Sequence, residues 1–207
     1  MTDILIKRCD RSNLGEFARI ISQAFDDKFP FFFKSVEEEE YIKLVEQIKL
    51  KRVENLDFHG CYIVEYDGKY VAALNLLYNK MKRETFRYIF KKLRKKMNLW
   101  FAFRTSIIFF VDAHEKVPEN TLEIKAVGVD KAYRKKGIGY KLLQFSEDIA
   151  RKRNMNYLQL SVLSRNLGAL SLYKSFGFKI KSTKKMLLAK KYLDIDAVHT
   201  MQKKITS

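Results

Sequence analysis

From Val127 to Gly139 the chain reads Val-Gly-Val-Asp-Lys-Ala-Tyr-Arg-Lys-Lys-Gly-Ile-Gly. This is the end of an apolar strand, a basic turn bearing glycines, and the start of an amphipathic helix running to about Arg153. Such a turn aims a row of backbone N–H groups at one point, where the helix dipole already concentrates partial positive charge. The chemistry expected there is anion binding, most naturally of phosphate. Glycine matters at 137 and 139 because a Cβ would block both the turn and the approach of a ligand to the backbone. Two other phosphate loops are excluded: G-x-x-x-x-G-K-[ST] does not occur, and the third small residue of the dinucleotide fingerprint is Leu142. A G-x-G before a helix also suits a plain strand-to-helix connection, so this loop does not decide the matter alone.

A second constellation follows. Tyr157 to Leu163 is a compact apolar run of strand length. After it, Asn166, Ala169 and Tyr173 recur at i, i+3 and i+7, on one face of a short helix. Leu170 and Phe176 supply the opposing core contact, and Gly177 stands where a helix ends. Phe178 to Ser182 reads as the next strand.

R-x-x-G-x-G at Arg134, Gly137 and Gly139, followed by N-x-x-A-x-x-L-Y-x-x-F-G-F from Asn166 to Phe178, resembles the GNAT superfamily of acyl-CoA-dependent N-acetyltransferases. The likeness is dense from Thr121 to Ser182 and elsewhere rests on the order of elements. One departure is Lys131, where many members carry proline, which bears on loop rigidity rather than chemistry.

The resemblance implies an acetyl-CoA site. Main-chain amides of Arg134, Lys135, Lys136, Gly137, Ile138 and Gly139 would bind the pyrophosphate. Val127 and Val129 would pair their backbone with the pantetheine arm, beside a bulge in the strand. Asn166 would hydrogen-bond the same arm, and Ala169 is small enough to let it pass. Tyr173 would point its hydroxyl at the thioester sulfur and protonate the departing thiolate; the alternative is an ordinary buried tyrosine.

Acetyl transfer to an amine also requires removal of a proton, because an alkylamine of pKa about 10 is mostly ammonium at neutral pH. Glu123 is the best candidate. It lies at the start of the strand feeding the loop, in Leu-Glu-Ile-Lys-Ala-Val, on the same pleat face as Lys125 and Val127. A carboxylate in an otherwise apolar strand is more informative than one on a helix surface. In the histone-acetyltransferase branch a glutamate at the corresponding position is the general base, whereas other branches use a water chain or another carboxylate. The competing reading is a solvated strand-end glutamate paired with Lys125.

Composition fits. The chain has 207 residues, 47% of them apolar, and a formal charge of +17, as expected for one domain spanning 1–207. Cys9 and Cys61 lie far apart in sequence without metal or redox spacing, and read as reduced thiols of a cytoplasmic protein. His59, His114 and His199 are scattered singly, so no metal site is expected. No signal peptide is recognised, and the most hydrophobic window, Leu99 to Val111, is too short to span a bilayer.

The elements that must position these residues can be read along the chain. Ile4 to Arg8 suggests a strand and Ser12 to about Asp26 an amphipathic helix. Phe29 to Phe33 is an aromatic turn, and Ser35 to Glu38 has the form of a capping box opening a second helix. Gly60 to Glu65 and Lys69 to Leu77 flank Asp67-Gly68, a hairpin signal, and Ala197 to Ile205 reads as a last strand. The fold class expected is α/β, and the resemblance implies a GNAT-like, mixed but mostly antiparallel twisted sheet of about seven strands flanked by helices, splayed to admit acetyl-CoA between two adjacent strands.

Less typical is a helical insertion at about 80–112. Phe86, Ile89, Phe90, Leu93, Met97 and Trp100 trace one helical face. Ten cations between Lys80 and Arg104 face a single acid, Glu84. The favoured reading is a solvated lid; nucleic acid, an anionic membrane surface or a homodimer seam are the other partners such a helix suits.

The function expected is transfer of an acetyl group from acetyl-CoA to a primary amine by direct attack in a ternary complex. No cysteine lies in either motif, which argues against an acetyl-cysteine intermediate. The acceptor is left open among small amines, polyamines, amino sugars and protein amines. The acids Asp26, Asp27 and Glu37 to Glu40 favour a cationic one. The alternative is a non-catalytic CoA-sensing or nucleic-acid-binding module on the same fold.

Overall fold

The computed structural model describes residues 4–26, 39, 43, 60–77, 118–185 and 196–205. The aromatic turn, the capping box with its helix, the basic insertion, His59 and His114 lie outside them. Of the acidic patch, Glu39 is described together with its side chain, exposed and paired with Lys43 at 2.7 Å.

Seven strands form one sheet: β1 (Ile4–Arg8), β2 (Cys61–Tyr66), β3 (Lys69–Leu77), β4 (Thr121–Val129), β5 (Tyr157–Leu163), β6 (Lys179–Lys185) and β7 (Ala197–Lys204). Their spatial order is β1-β2-β3-β4-β5-β7-β6. Every neighbouring pair is antiparallel except β4 and β5, which run parallel. Asp67 and Gly68 both take positive φ, which gives the β2–β3 hairpin the twist a two-residue loop requires.

Three described helices cover the sheet: α1 (Leu14–Asp26), α2 (Ile138–Lys152) and α3 (Leu167–Ser175). Asn13 starts α1, its carbonyl accepting from Phe17 N at 3.0 Å, while its Oδ1 accepts from Asp10 N at 3.0 Å. Alternation along the strands divides two cores. Cys61, Ile63 and Ala73 pack with Leu14, Phe17 and Ile20 of α1 on one face. Tyr62, Val64, Leu122, Ile124, Leu158 and Leu160 pack with α2 and α3 on the other.

Candidate active site

The sheet is joined at its centre by very little. β4 and β5 pair only from Thr121–Tyr157 to Ile124–Leu160. Beyond that rung β4 continues on β3, and β5 continues on β7, so a fork opens. Asp130 N donates to Val71 O at 2.9 Å. Alternation from that rung turns the backbone of Gly128 and Ala126 toward β3, and the N–H and C=O of Val127 and Val129 toward the fork.

A bulge sits just before these residues. Asn75 pairs with Ala126 and Leu76 with Ile124, which leaves Lys125 as the extra residue on β4. The bulge corrects one expectation. Glu123 does not share a pleat face with Val127: Leu122 and Ile124 lie in the α2–α3 core, Val127 and Val129 pack against that same core, and Glu123 points to the opposite face. Strict alternation fails because one inserted residue reverses the parity of everything after it.

The loop leaving β4 is built by its own side chains. Asp130 caps a short 3-10 turn (Lys131–Tyr133), accepting from Ala132 N at 3.0 Å, and is held in turn by Arg19 of α1 at 3.3 Å. Arg134 folds back so that its Nε donates to Val129 O at 2.9 Å. Lys135 and Gly137 take φ of 61° and 78°, and alternating left-handed residues turn successive amides into one concavity. Lys136 Nζ lies 4.9 Å from the Tyr133 ring centroid and 5.8 Å from that of Tyr66, so its cation rests on aromatic faces.

Gly137 is the N-cap of α2 and brings no side chain to cap it. Orphan N–H groups of the first turn, at Ile138 and Gly139, are therefore left to water or a ligand. The two glycines serve different ends. A Cβ at 137 would meet nothing within 4 Å, so its left-handed backbone is the constraint; a Cβ at 139 would stand 3.1 Å from Leu172 Cδ2 of α3.

Helix α3 begins at Asn166, whose Oδ1 accepts from Ala169 N at 3.1 Å. That bond leaves the amide NH2 as the donor Asn166 can offer elsewhere. The Gly-Phe after the helix is explained by its exit. Gly177 N donates to Lys174 O at 3.0 Å and Phe178 N to Tyr173 O at 2.9 Å, the paired bonds of a Schellman ending. The rings of Phe178 and Tyr173 meet at 6.0 Å and complete it. Tyr173 is 7% exposed, and burial pushes its phenol up to about 12.

Glu123 is 2% exposed, and Lys125 Nζ lies 3.3 Å from its Oε1. The ion pair of the competing reading is present; its solvation is not. Glu123, on the rung beside the fork, and Tyr173, in the α2–α3 core, thus lie on opposite faces of the sheet. Two further groups escaped the sequence reading. Glu147 of α2 receives Arg151 at 2.7 Å and Lys203 of β7 at 2.6 Å, and the same Lys203 Nζ sits 4.0 Å over the ring of Phe176. One lysine therefore ties the helix behind the loop to the end of the helix bearing Tyr173.

Among the described residues no cluster of three His, Cys, Asp or Glu could hold a metal ion, and no helix is long and apolar enough to cross a membrane. His199 Nδ1 lies 2.8 Å from Thr183 Oγ1.

A central sheet forked beside an uncapped helix N-terminus defines a class. Residues 21–178 match the acetyltransferase (GNAT) family. The chain belongs to that family, and acetyl transfer is its class of chemistry. Solved structures share the fold across nearly the whole chain. The PaiA N-acetyltransferase of Thermoplasma acidophilum, in complex with coenzyme A, is 17% identical at a TM-score of 0.59, covering 98% of this chain and 99% of that one. The ribosomal-protein-alanine N-acetyltransferase of Brucella melitensis is 19% identical at 0.60, covering 97% and 99%. A mutant agmatine N-acetyltransferase in its apo form is 16% identical at 0.64, covering 98% and 99%. At such identities the likeness is one of fold. No curated protein matches the sequence.

Proposed function

We propose that the protein moves the acetyl group of acetyl-CoA to a primary amine by direct attack within a ternary complex, in a single domain. The observation that carries this reading is the fork, with the backbone groups of Val127 and Val129 turned into it and the first-turn amides of α2 at its mouth. The donors present fit the cosubstrate. Extended backbone suits the amides of a pantetheine arm, and free helical N–H groups beside exposed Arg134, Lys135 and Lys136 suit a pyrophosphate.

Each residue then has a task. Amides of residues 134–139 hold the phosphates, Asn166 donates to the arm, and Ala169 leaves it room. Glu123 takes the proton of the acceptor ammonium from the far face of the sheet. The freed nitrogen lone pair attacks the carbonyl carbon to give a tetrahedral intermediate. As it collapses the C–S bond breaks, and the thiolate leaves toward Tyr173 and takes up the second proton, shed by the new amide nitrogen. Amide, thiol and the proton held by Glu123 result. A phenol ionising near 12 is a weaker acid than a thiol of about 8.5. Complete proton transfer from Tyr173 runs uphill, so its hydroxyl acts as a hydrogen-bond donor that stabilises the thiolate.

The test is turnover of acetyl-CoA against a panel of small amines, polyamines, amino sugars and peptides, read as release of free thiol. Amine-dependent release supports the reading. Tight binding of CoA with no release against any amine would make the chain a CoA sensor instead. Affinity for acetyl-CoA should fall with added salt, since phosphates are being neutralised.

A further inference from the structure

Cys9 and Cys61 are the only two cysteines of the chain, and the fold brings them side by side. The β1–β2 ladder pairs Ile4 with Tyr66 and ends with Arg8 opposite Tyr62. On the next rung Cys9 faces Cys61, and Cys9 N–H donates to Cys61 O at 2.9 Å. Residues opposite each other on a hydrogen-bonded antiparallel rung have Cα atoms about 5.5 Å apart and side chains on one face. Disulfides bridge Cα separations of roughly 4.4–6.8 Å, most often about 5.5–6 Å. Both side chains are thiols, 3% and 6% exposed, in one apolar cluster with Leu14, Phe17, Ile20, Ile63 and Ala73.

We propose that Cys9 and Cys61 form an oxidisable dithiol, which a peroxide converts into a cross-strand disulfide clasping the base of the stretch 10–60. One sulfur attacks a peroxide oxygen; the S–O bond forms as the O–O bond breaks, and a water leaves. The second sulfur then displaces the oxygen of that sulfenic acid, forming the S–S bond and releasing a second water. The two sulfurs lose two electrons in total, the peroxide gains them, and both thiol protons end in water.

Burial in an apolar cluster keeps such thiols unreactive while the strands are closed. Access comes from β1, the edge strand of the sheet, because sheet edges open locally at far less free energy than the whole fold. The bridge closes a loop that contains all of α1, which packs against the sheet beside Cys61. Oxidation therefore restrains both ends of that excursion.

The test is made on the full chain in two ways. Native protein is treated with hydrogen peroxide, and denatured, reduced protein is refolded in glutathione buffers of rising oxidised fraction. The expected product is lighter by two hydrogens and yields a linked peptide pair containing Cys9 and Cys61 on non-reducing digestion. It unfolds at a higher temperature than the reduced form and reverts with dithiothreitol. Cys9→Ser and Cys61→Ser should each lose both the linked pair and the rise in unfolding temperature. Two intact thiols after refolding in the most oxidising buffer would overturn the proposal. So would separate sulfinic or glutathione adducts with no linked peptide, or a linked form that unfolds at a lower temperature than the dithiol.

Discussion

Gly139 is the point at which α2 rests on α3, with Leu172 so close that a Cβ on the glycine would lie 3.1 Å from its Cδ2. Two glycines of one loop therefore answer to different pressures, and substitutions should separate them. Gly137→Ala should act on cosubstrate affinity, because it strains a left-handed N-cap by roughly 1–2 kcal/mol. Gly139→Ala should act less on affinity, since its Cβ asks only that the tip of Leu172 on α3 give by a few tenths of an ångström. Valine at both positions should weaken acetyl-CoA binding by at least about tenfold, roughly 1.4 kcal/mol. Calorimetry showing unchanged affinity in a folded double variant would remove the phosphate site from this loop.

Tyr173→Phe should retain acetyl-CoA and lose turnover, on the order of 10²–10³-fold for a hydrogen-bond donor that stabilises the developing thiolate. Wild-type turnover would leave Tyr173 with its packing alone. The same residue gives a pH dependence. Its folded pKa is about 12, against about 10 for tyrosine in an unfolded chain. Below pH 10 both states hold the proton and the stability is intact. Between pH 10 and 12 the unfolded state ionises first, so stability falls through that window, by a few kcal/mol at most from this group. Urea unfolding from pH 9 to 12 should show that component in the wild type and its loss in Tyr173→Phe.

For Glu123→Gln the rate loss should be greatest at low pH, where the acceptor amine is almost wholly protonated, and should shrink toward pH 10. A small loss uniform across the pH range would assign proton removal to water or another carboxylate.

Lys203→Met removes both the pair with Glu147 and the cation over Phe176. Arg151 still reaches Glu147 at 2.7 Å, which limits the damage to roughly 1–3 kcal/mol. Adding Glu147→Leu to Lys203→Met should recover part of it, because no buried carboxylate then remains short of a partner. Urea midpoints of the two variants decide this.

What was legible in the sequence was local. Apolar runs of strand length locate β4 and β5, and the bounds of α3 follow from Asn166 at one end and Gly177 at the other. The hairpin at Asp67-Gly68 is a two-residue signal and needs no distant partner. What was hidden depends on distant partners. The resemblance implied a bulge beside Val127, but its place at Lys125 appears only when β4 is laid on β3, and there it moves Val127 to the face opposite Glu123. Gly139 looks like a residue making way for a ligand until Leu172 is seen against it. The sequence assigns Lys136 only a main-chain amide, and the cation–π contacts of its side chain with Tyr66 and Tyr133 appear only once β2 and the 3-10 turn are brought together. Cys9 and Cys61 look unrelated until the β1–β2 ladder makes them neighbours. The family motif covered the residues around the fork but not the Lys203 tie, which joins β7 to two helices.

The short parallel seam at the centre of the sheet also bears on how the chain is made. The antiparallel set β1-β2-β3-β4 is complete at Val129, and its partner set β5-β7-β6 begins only at Tyr157. During synthesis the first set emerges from the ribosome before the second set has emerged. The side of β4 that later becomes the fork is then a bare sheet edge, with unpaired amides offered to any neighbouring strand. Only four rungs of that edge are ever covered by β5. The nascent protein is thus exposed to aberrant strand pairing along the same edge of β4 whose Val127 backbone faces the fork in the finished molecule.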